Sequence, residues 1–362
     1  MSRTFVYVAC ASGGTVDVLA LDPETGALEA GSRTGGLDHV SSLALDPAGT
    51  LYAACNVDRP FPDVPPRVVA LSLAQRTGAA SAGPSRELPV TTCYVSLSPD
   101  GRALFGASYH EGRLIRFPAP GVAGTVATFD SGANTHCAVV SPDGAFVYTA
   151  SLGDDRVSWF RIDASGLAPA RAAGADDDGA VAPSGHVATA SGSGPRHLRF
   201  DASGERAYVL HELSGDVAVY ERDTATGRLA LLQRASAIEG LELAPGPVRS
   251  PTSADPGLGV VWCSDLRITP DGRYLVAAER STSTLATFAI RDGGLLEFLR
   301  RTPTEAQPRG MAIDPSGKYL LACGERSDHI TAYRIGADGS LAAASRAATA
   351  GGPLWIECWA TA

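Results

Sequence analysis

His136, Arg196, Glu212, Arg280, Arg309 and Glu325 lie scattered through a chain of 362 residues, yet each stands eight positions from a glycine in the same kind of turn. His136, Arg196 and Arg309 come eight before Gly144, Gly204 and Gly317, whereas Glu212, Arg280 and Glu325 come eight after Gly204, Gly272 and Gly317. In an antiparallel hairpin, residues equally far on either side of the turn return to the same end of the sheet. One imidazole, three guanidiniums and two carboxylates would therefore gather at one mouth. The surplus positive charge suits capture of a small anion. The alternative is that the charges only pair, Arg196 with Glu212 and Arg309 with Glu325, beneath solvent. Charges gathered there without a ligand carry desolvation and repulsion costs, which favours the functional reading.

The same two positions hold Ser41, Cys93 and Ser264 before the other turn glycines, and Val57, Tyr109 and Leu152 after them. Tyr109, and His110 beside it in "SYHEG", are expected near the rim, His110 with equal claim to the pocket or to solvent. Strand alternation puts His197 on the face opposite Arg196, as a packed or hydrogen-bonded core group. His211 neighbours Glu212 and is placed to orient it. His39, His186 and His329 read as loop or strand-end residues, and Trp262 and Trp355 as sheet packing.

The elements that must carry these residues recur along the chain. "LDPAGTLYAA", "LSPDGRALFGAS", "VSPDGAFVYTAS", "FDASGERAYVLH", "ITPDGRYLVAAE" and "IDPSGKYLLACG" are each a strand, a turn with glycine and a second strand. A third strand follows each, as in "GRLIRFP" or "DHITAYRI", and then a weaker fourth, as in "GADGSLAAAS". Four-stranded units spaced 43 to 68 residues apart predict an all-β propeller. The N-terminal stretch lacks only a first strand, and "GGPLWIECWATA" at the C-terminus supplies one. Joined, they make a seventh blade that hides the sheet edges, so one domain is expected over 1–362. Two long spacers, 163–190 and 233–260, are expected to be solvated loops, with 233–260 as a candidate partial lid over the axis.

Composition narrows the partners. A net charge of -9 argues against nucleic acid. No apolar run approaches the roughly 18 residues of a membrane helix, and no secretory leader is recognisable. Seven scattered cysteines without a CxxC pair suggest reduced thiols and a cytoplasmic protein. Lys318 is the only lysine, followed by Tyr319 rather than Ser or Thr, which removes the lysine-containing phosphate loop.

The segments "GSGPRHLRFDASGERAYVLHELSGDVAVYE", "ITPDGRYLVAAERSTSTLATFAI" and "PTEAQPRGMAIDPSGKYLLACGERSDHITAYRI" resemble the seven-bladed propeller lactonases, which include bacterial 6-phosphogluconolactonases and fungal carboxymuconate lactonizing enzymes. The resemblance spans nearly all blades and is densest in the last four. It implies a site of His, Arg, Glu and Arg, falling here on His136, Arg196, Glu212 and Arg280, with Arg309 in "QPRG" also family-like. Lactone hydrolysis then implies His136 as the proton-transfer residue, with Glu212 as alternative base or as its orienter. Arg196 and Arg280 would bind the carbonyl or carboxylate, and Arg309 a phosphate. Tyr109, His110 and Glu325 would complete the ligand pocket. The expected substrate is a small anionic lactone, most simply 6-phosphogluconolactone, taken by a monomer or weak homo-oligomer without cofactor or metal. A cycloisomerase closing a muconate would use the same clamp, and a non-catalytic propeller would use the face as a protein-binding platform. A metal-dependent lactonase would need converging carboxylates, whereas Glu212 and Glu325 stand among cations.

Overall fold

The computed structural model describes residues 3–55, 65–163, 166–167, 182–249 and 258–361, all-β but for a single 3-10 turn at Asp292–Gly294. The hairpin around Gly204 shows how the repeat works. Pro195–Phe200 pairs antiparallel with Arg206–His211, which pairs with Asp216–Arg222 and then Leu229–Ser236. Asp201 closes the turn twice: its carbonyl accepts from the Gly204 N–H at 3.1 Å, and its Oδ1 from the Arg206 N–H at 3.1 Å. Gly204 has φ +72°, a conformation that side chains disfavour.

Seven such sheets form the molecule. Their innermost strands are Ser42–Asp46, Tyr94–Leu97, Thr135–Val140, Pro195–Phe200, Cys263–Ile268, Pro308–Ile313 and Pro353–Ala360. Each touches the next, and the last touches the first, so the ring is closed. Second strands such as Phe146–Ser151, Tyr274–Glu279 and Tyr319–Gly324 are buried at every residue, because each is wedged between neighbouring blades on both faces. Fourth strands such as Leu341–Ala348 face solvent over most of their length, which explains their weaker apolar pattern in the sequence.

The seventh blade closes as the repeats predict. Pro353–Ala360 pairs with Thr4–Cys10 from Thr4↔Ala360 to Cys10↔Pro353, and Thr15–Leu21 and Leu28–Thr34 complete the sheet. Leu354, Trp355, Ile356 and Trp359 of the closing strand are buried. At about 1.5–3 kcal/mol per large buried side chain, their loss is comparable to the whole stability of a typical domain. Deleting residues 353–362 is therefore expected to abolish cooperative unfolding, read by calorimetry; a sharp transition near that of the intact chain would contradict ring closure by this strand.

The spacers are only partly loop. In 163–190, Gly166–Leu167 pairs with the end of Arg156–Asp163, and Gly185–Ala188 is that blade's outermost strand. His186 accordingly stands exposed within a strand rather than in a loop. In 233–260, the first four residues finish Leu229–Ser236, and Ala244 bridges Val260. Residues 164–165, 168–181 and 250–257 of these spacers lie outside the described residues, as does Val57. All seven cysteines are free thiols, and no described helix is long and apolar enough to cross a membrane.

Candidate active site

The predicted charges meet because the inner strands are irregular at the right place. In three blades the pairing skips one residue at the mouth: Thr135↔Ser151 is followed by Cys137↔Ala150, Pro195↔His211 by His197↔Leu210, and Pro308↔Gly324 by Gly310↔Cys323. The residues left over are His136, Arg196 and Arg309. A β-bulge turns its extra side chain out of the ladder, here toward the axis. Two positions earlier stands a residue with positive φ in each case: Asn134 at +55°, Gly194 at +63° and Gln307 at +52°. Its carbonyl accepts from the residue just past the end of the partner strand: Leu152, Glu212 and Glu325, at 3.2, 2.7 and 3.0 Å. The Arg280 N–H donates likewise to the Trp262 carbonyl at 3.0 Å. Backbone bonds thus seat both members of each matched pair.

Glu212 is the centre of the cluster. Its Oε2 lies 2.7 Å from Arg196 Nε, and its Oε1 lies 2.9 Å from Arg280 Nη2 and accepts from the Trp262 indole N–H at 2.8 Å. The Arg280 guanidinium also covers the Trp262 ring, 3.8 Å from its centroid, and donates to the Trp262 and Cys263 carbonyls at 3.2 Å each. Arg196 Nη1 donates to the Ser264 carbonyl. Arg196, Arg280, Glu212 and His136 are 2, 2, 6 and 7% exposed, so these charges sit in a desolvated floor. Arg309 and Glu325 form the more open wall, 3.5 Å apart and about a quarter exposed. The two pairings foreseen as an alternative both occur, yet three guanidiniums face two carboxylates. Among these five charged residues the balance is one positive charge.

Burial foremost, and then the charges of Arg196, Arg309 and Arg280, hold His136 well below the ordinary 6.5, so its imidazole is neutral at pH 7. Its Nδ1 is buried with no hydrogen-bond partner among the described residues. Burial works to raise the Glu212 carboxyl, but Arg280, Arg196 and the Trp262 hydrogen bond outweigh it and keep the group below the usual carboxylate range. Glu325 is lowered too, burial being outweighed by Arg309 and Arg280. Burial pushes Arg280 down to about 10, which leaves it charged at neutral pH.

Tyr109 reaches the site from the next blade, its ring centroid 5.6 Å from that of His136. Its hydroxyl donates to the Arg249 carbonyl at 2.9 Å, and the Arg249 guanidinium lies over Trp262, 4.4 Å from the ring centroid. Arg249 therefore links Tyr109 to Trp262 at this mouth. His110 is exposed and, among the described residues, meets the site through an edge contact with Tyr109. Three expectations need correction. Trp262 is more than sheet packing, since it binds the Glu212 carboxylate; its repeat position matches those of Asn134, Gly194 and Gln307, a signal present in the sequence. His211 does not orient Glu212, because its Nδ1 is held 3.2 Å from Asp216 in its own hairpin turn. The bulge at Arg196 resets strand alternation, so His197, though buried and hydrogen-bonded as expected, touches Arg196 itself. Among the described residues no group of three or more His, Cys, Asp or Glu is arranged to hold a metal.

Fold and mouth together define a seven-bladed propeller enzyme whose inner-strand ends gather two buried guanidiniums, a third on the wall and a neutral imidazole. The chain belongs to the seven-bladed β-propeller lactonase family, whose profile matches residues 5–358. It is 32% identical over 337 residues to a 6-phosphogluconolactonase of Cronobacter sakazakii, covering 86% of this chain and 92% of that one. A 6-phosphogluconolactonase of Klebsiella pneumoniae is 32% identical over 294 residues, covering 80% and 81%. Among solved structures, a periplasmic gluconolactonase of Pseudomonas aeruginosa superposes with a TM-score of 0.78 at 26% identity, with both chains covered in full.

Proposed function

We propose that this protein hydrolyses a sugar lactone, 6-phosphogluconolactone, to the open-chain acid. The observation that carries the reading is the neutral His136 imidazole beside a floor of buried arginines with more positive than negative charge. Water attacks the lactone carbonyl while His136 takes its proton. Arg196 and Arg280 bind the oxygen on which negative charge develops. The tetrahedral adduct then breaks its bond to the ring oxygen, which recovers the proton from the imidazolium, and the product acid ionises in water. Glu212, ion-paired to Arg196 and Arg280, hydrogen-bonded by the Trp262 indole and held ionised, is a poor base. Its role is to bring Arg196 and Arg280 together.

Arg309 supports the phosphate. It is the most exposed of the three site arginines, and its ion pair with Glu325 at 3.5 Å is the longest in the cluster. A charge-assisted hydrogen bond to phosphate contributes roughly 1.5–3 kcal/mol. The deciding assay measures hydrolysis of 6-phosphogluconolactone, unphosphorylated gluconolactone and carboxymuconate side by side, above the spontaneous rate. The phosphorylated lactone is expected to be preferred, and Arg309→Ala is expected to reduce that preference by about 10–100-fold in kcat/KM. No preference in the unaltered protein would refute the phosphate, and turnover of carboxymuconate alone would replace hydrolysis by lactonization.

A further inference from the structure

Arg196 can only donate hydrogen bonds, so a ring nitrogen that meets its guanidinium must accept. Arg196 Nη1 lies 3.0 Å from His197 Nε2. The lone pair is therefore on Nε2 and the proton on Nδ1, which is 2.9 Å from Asp265 Oδ1 and donates to it. The opposite tautomer would set N–H against N–H. His197 and Asp265 are 1% and 0% exposed. The His197 ring is fixed edge-on by His136, Tyr94 and Trp355, at centroid distances of 5.3, 5.4 and 5.8 Å. Neither residue belongs to the matched positions from which the site was read.

Asp265 is itself immobilised. Its carboxylate accepts from the Leu266 and Met311 N–H groups at 2.9 and 3.1 Å. Arg267 Nη2 lies 3.1 Å away and Arg199 Nη2 3.7 Å. Those two arginines line a hollow of about 460 Å³ toward the turn ends of the inner strands, away from the His136 mouth. Burial raises the Asp265 carboxyl to about 6, with Arg199 the first of the groups opposing that rise, so it is mainly ionised at pH 7. A chain of donors and acceptors thus runs from this anchored carboxylate through His197 to the Arg196 guanidinium. Glu212 is ion-paired to the Nε of that group, and its Nη1 meets both His197 and the Ser264 carbonyl, while Nη2 takes part in none of these contacts.

We propose that His197 and Asp265 are positioning residues for Arg196: Asp265 fixes the His197 tautomer, and His197 fixes the plane of the guanidinium, leaving Nη2 for the reacting carbonyl oxygen. The catalytic consequence rests on the lactonase reading; the tautomer does not. His197→Phe keeps a ring in place but removes the acceptor, whereas the amide oxygen of His197→Gln can still accept from Arg196. The Phe variant is expected to lose about 10–100-fold in kcat on the sugar lactone, the scale of a small misplacement of a catalytic group, with KM within about threefold. His197→Gln is expected to recover most of the loss. Equal losses in both variants, or none in the Phe variant, would overturn the proposal. Nitrogen-15 NMR of the unaltered protein reads the tautomer directly, with the His197 signals assigned by their absence from His197→Gln, and requires neither turnover nor a folded Phe variant. Protonated Nδ1 with bare Nε2 is the expected pattern; a proton on Nε2 at pH 7 would also overturn it. If the unaltered protein opens no lactone, the functional reading fails and the NMR result still decides the relay.

Discussion

His136→Asn is expected to lower kcat for lactone hydrolysis by about 10²–10⁴-fold, the usual contribution of a positioned general base, and to leave KM within a fewfold. The fold should survive, because His136 Nδ1 holds no other residue in place. The pH dependence makes the expectation specific. With the folded-state pKa depressed below 6.5, the unaltered protein keeps its base through neutrality, and kcat/KM falls only at pH values well below 6.5. The linkage has a matching sign: as pH falls through 6.5 the unfolded chain takes up the proton first, so His136 costs stability in acid and nothing at higher pH. His136→Asn should therefore gain stability relative to the unaltered protein below pH 6.5, with little difference at pH 8. Retention of activity within threefold, or an acid limb centred at or above 6.5, would remove His136 from the proposed role.

The matched charges were legible because they depend on few variables. A turn closed at glycine fixes hairpin register, and register fixes which residues return to the same end, so Arg196 and Glu212 could be paired by counting from Gly204. Blade number and closure by the C-terminal strand followed from the same counting. The bulges were not legible: a single extra residue at the mouth leaves no mark on apolar alternation when the residues around it are Pro, Thr or Gly. That irregularity turns Arg196 toward the axis and resets the alternation at His197, which the regular pattern had placed on the far face. Trp262, although its repeat position could be counted, reads as packing for a different reason. Indole reads as packing in any strand pattern, and only the carboxylate of another blade reveals its N–H as a donor. Likewise the contact between Tyr109 and Arg249 joins residues 140 positions apart through a spacer whose composition carries no register.

Glu212→Gln tests the electrostatic core of the site. The substitution preserves shape and an acceptor for the Trp262 N–H, but leaves Arg196 and Arg280 buried without their shared carboxylate. Removing one partner of a buried charge set costs about 3–5 kcal/mol. For a chain of this length that is a fall of about 4–7 °C in Tm. The pH sign again follows from the direction of the shift. Glu212 is held below the usual 4.5, so its contribution is fully present above that pH and is lost as pH falls through the lower folded-state value. The gap in Tm between the two proteins should be constant from pH 8 to 5 and narrow in stronger acid. Activity should fall by at least about 10³-fold, because both arginines proposed to bind the oxyanion lose the group that aligns them, and losing a single oxyanion donor already costs about 10²–10³-fold. An unchanged or raised Tm at pH 7 would mean that the three arginines do not need Glu212 to coexist, and that the charge at this mouth is balanced by groups other than those that line it.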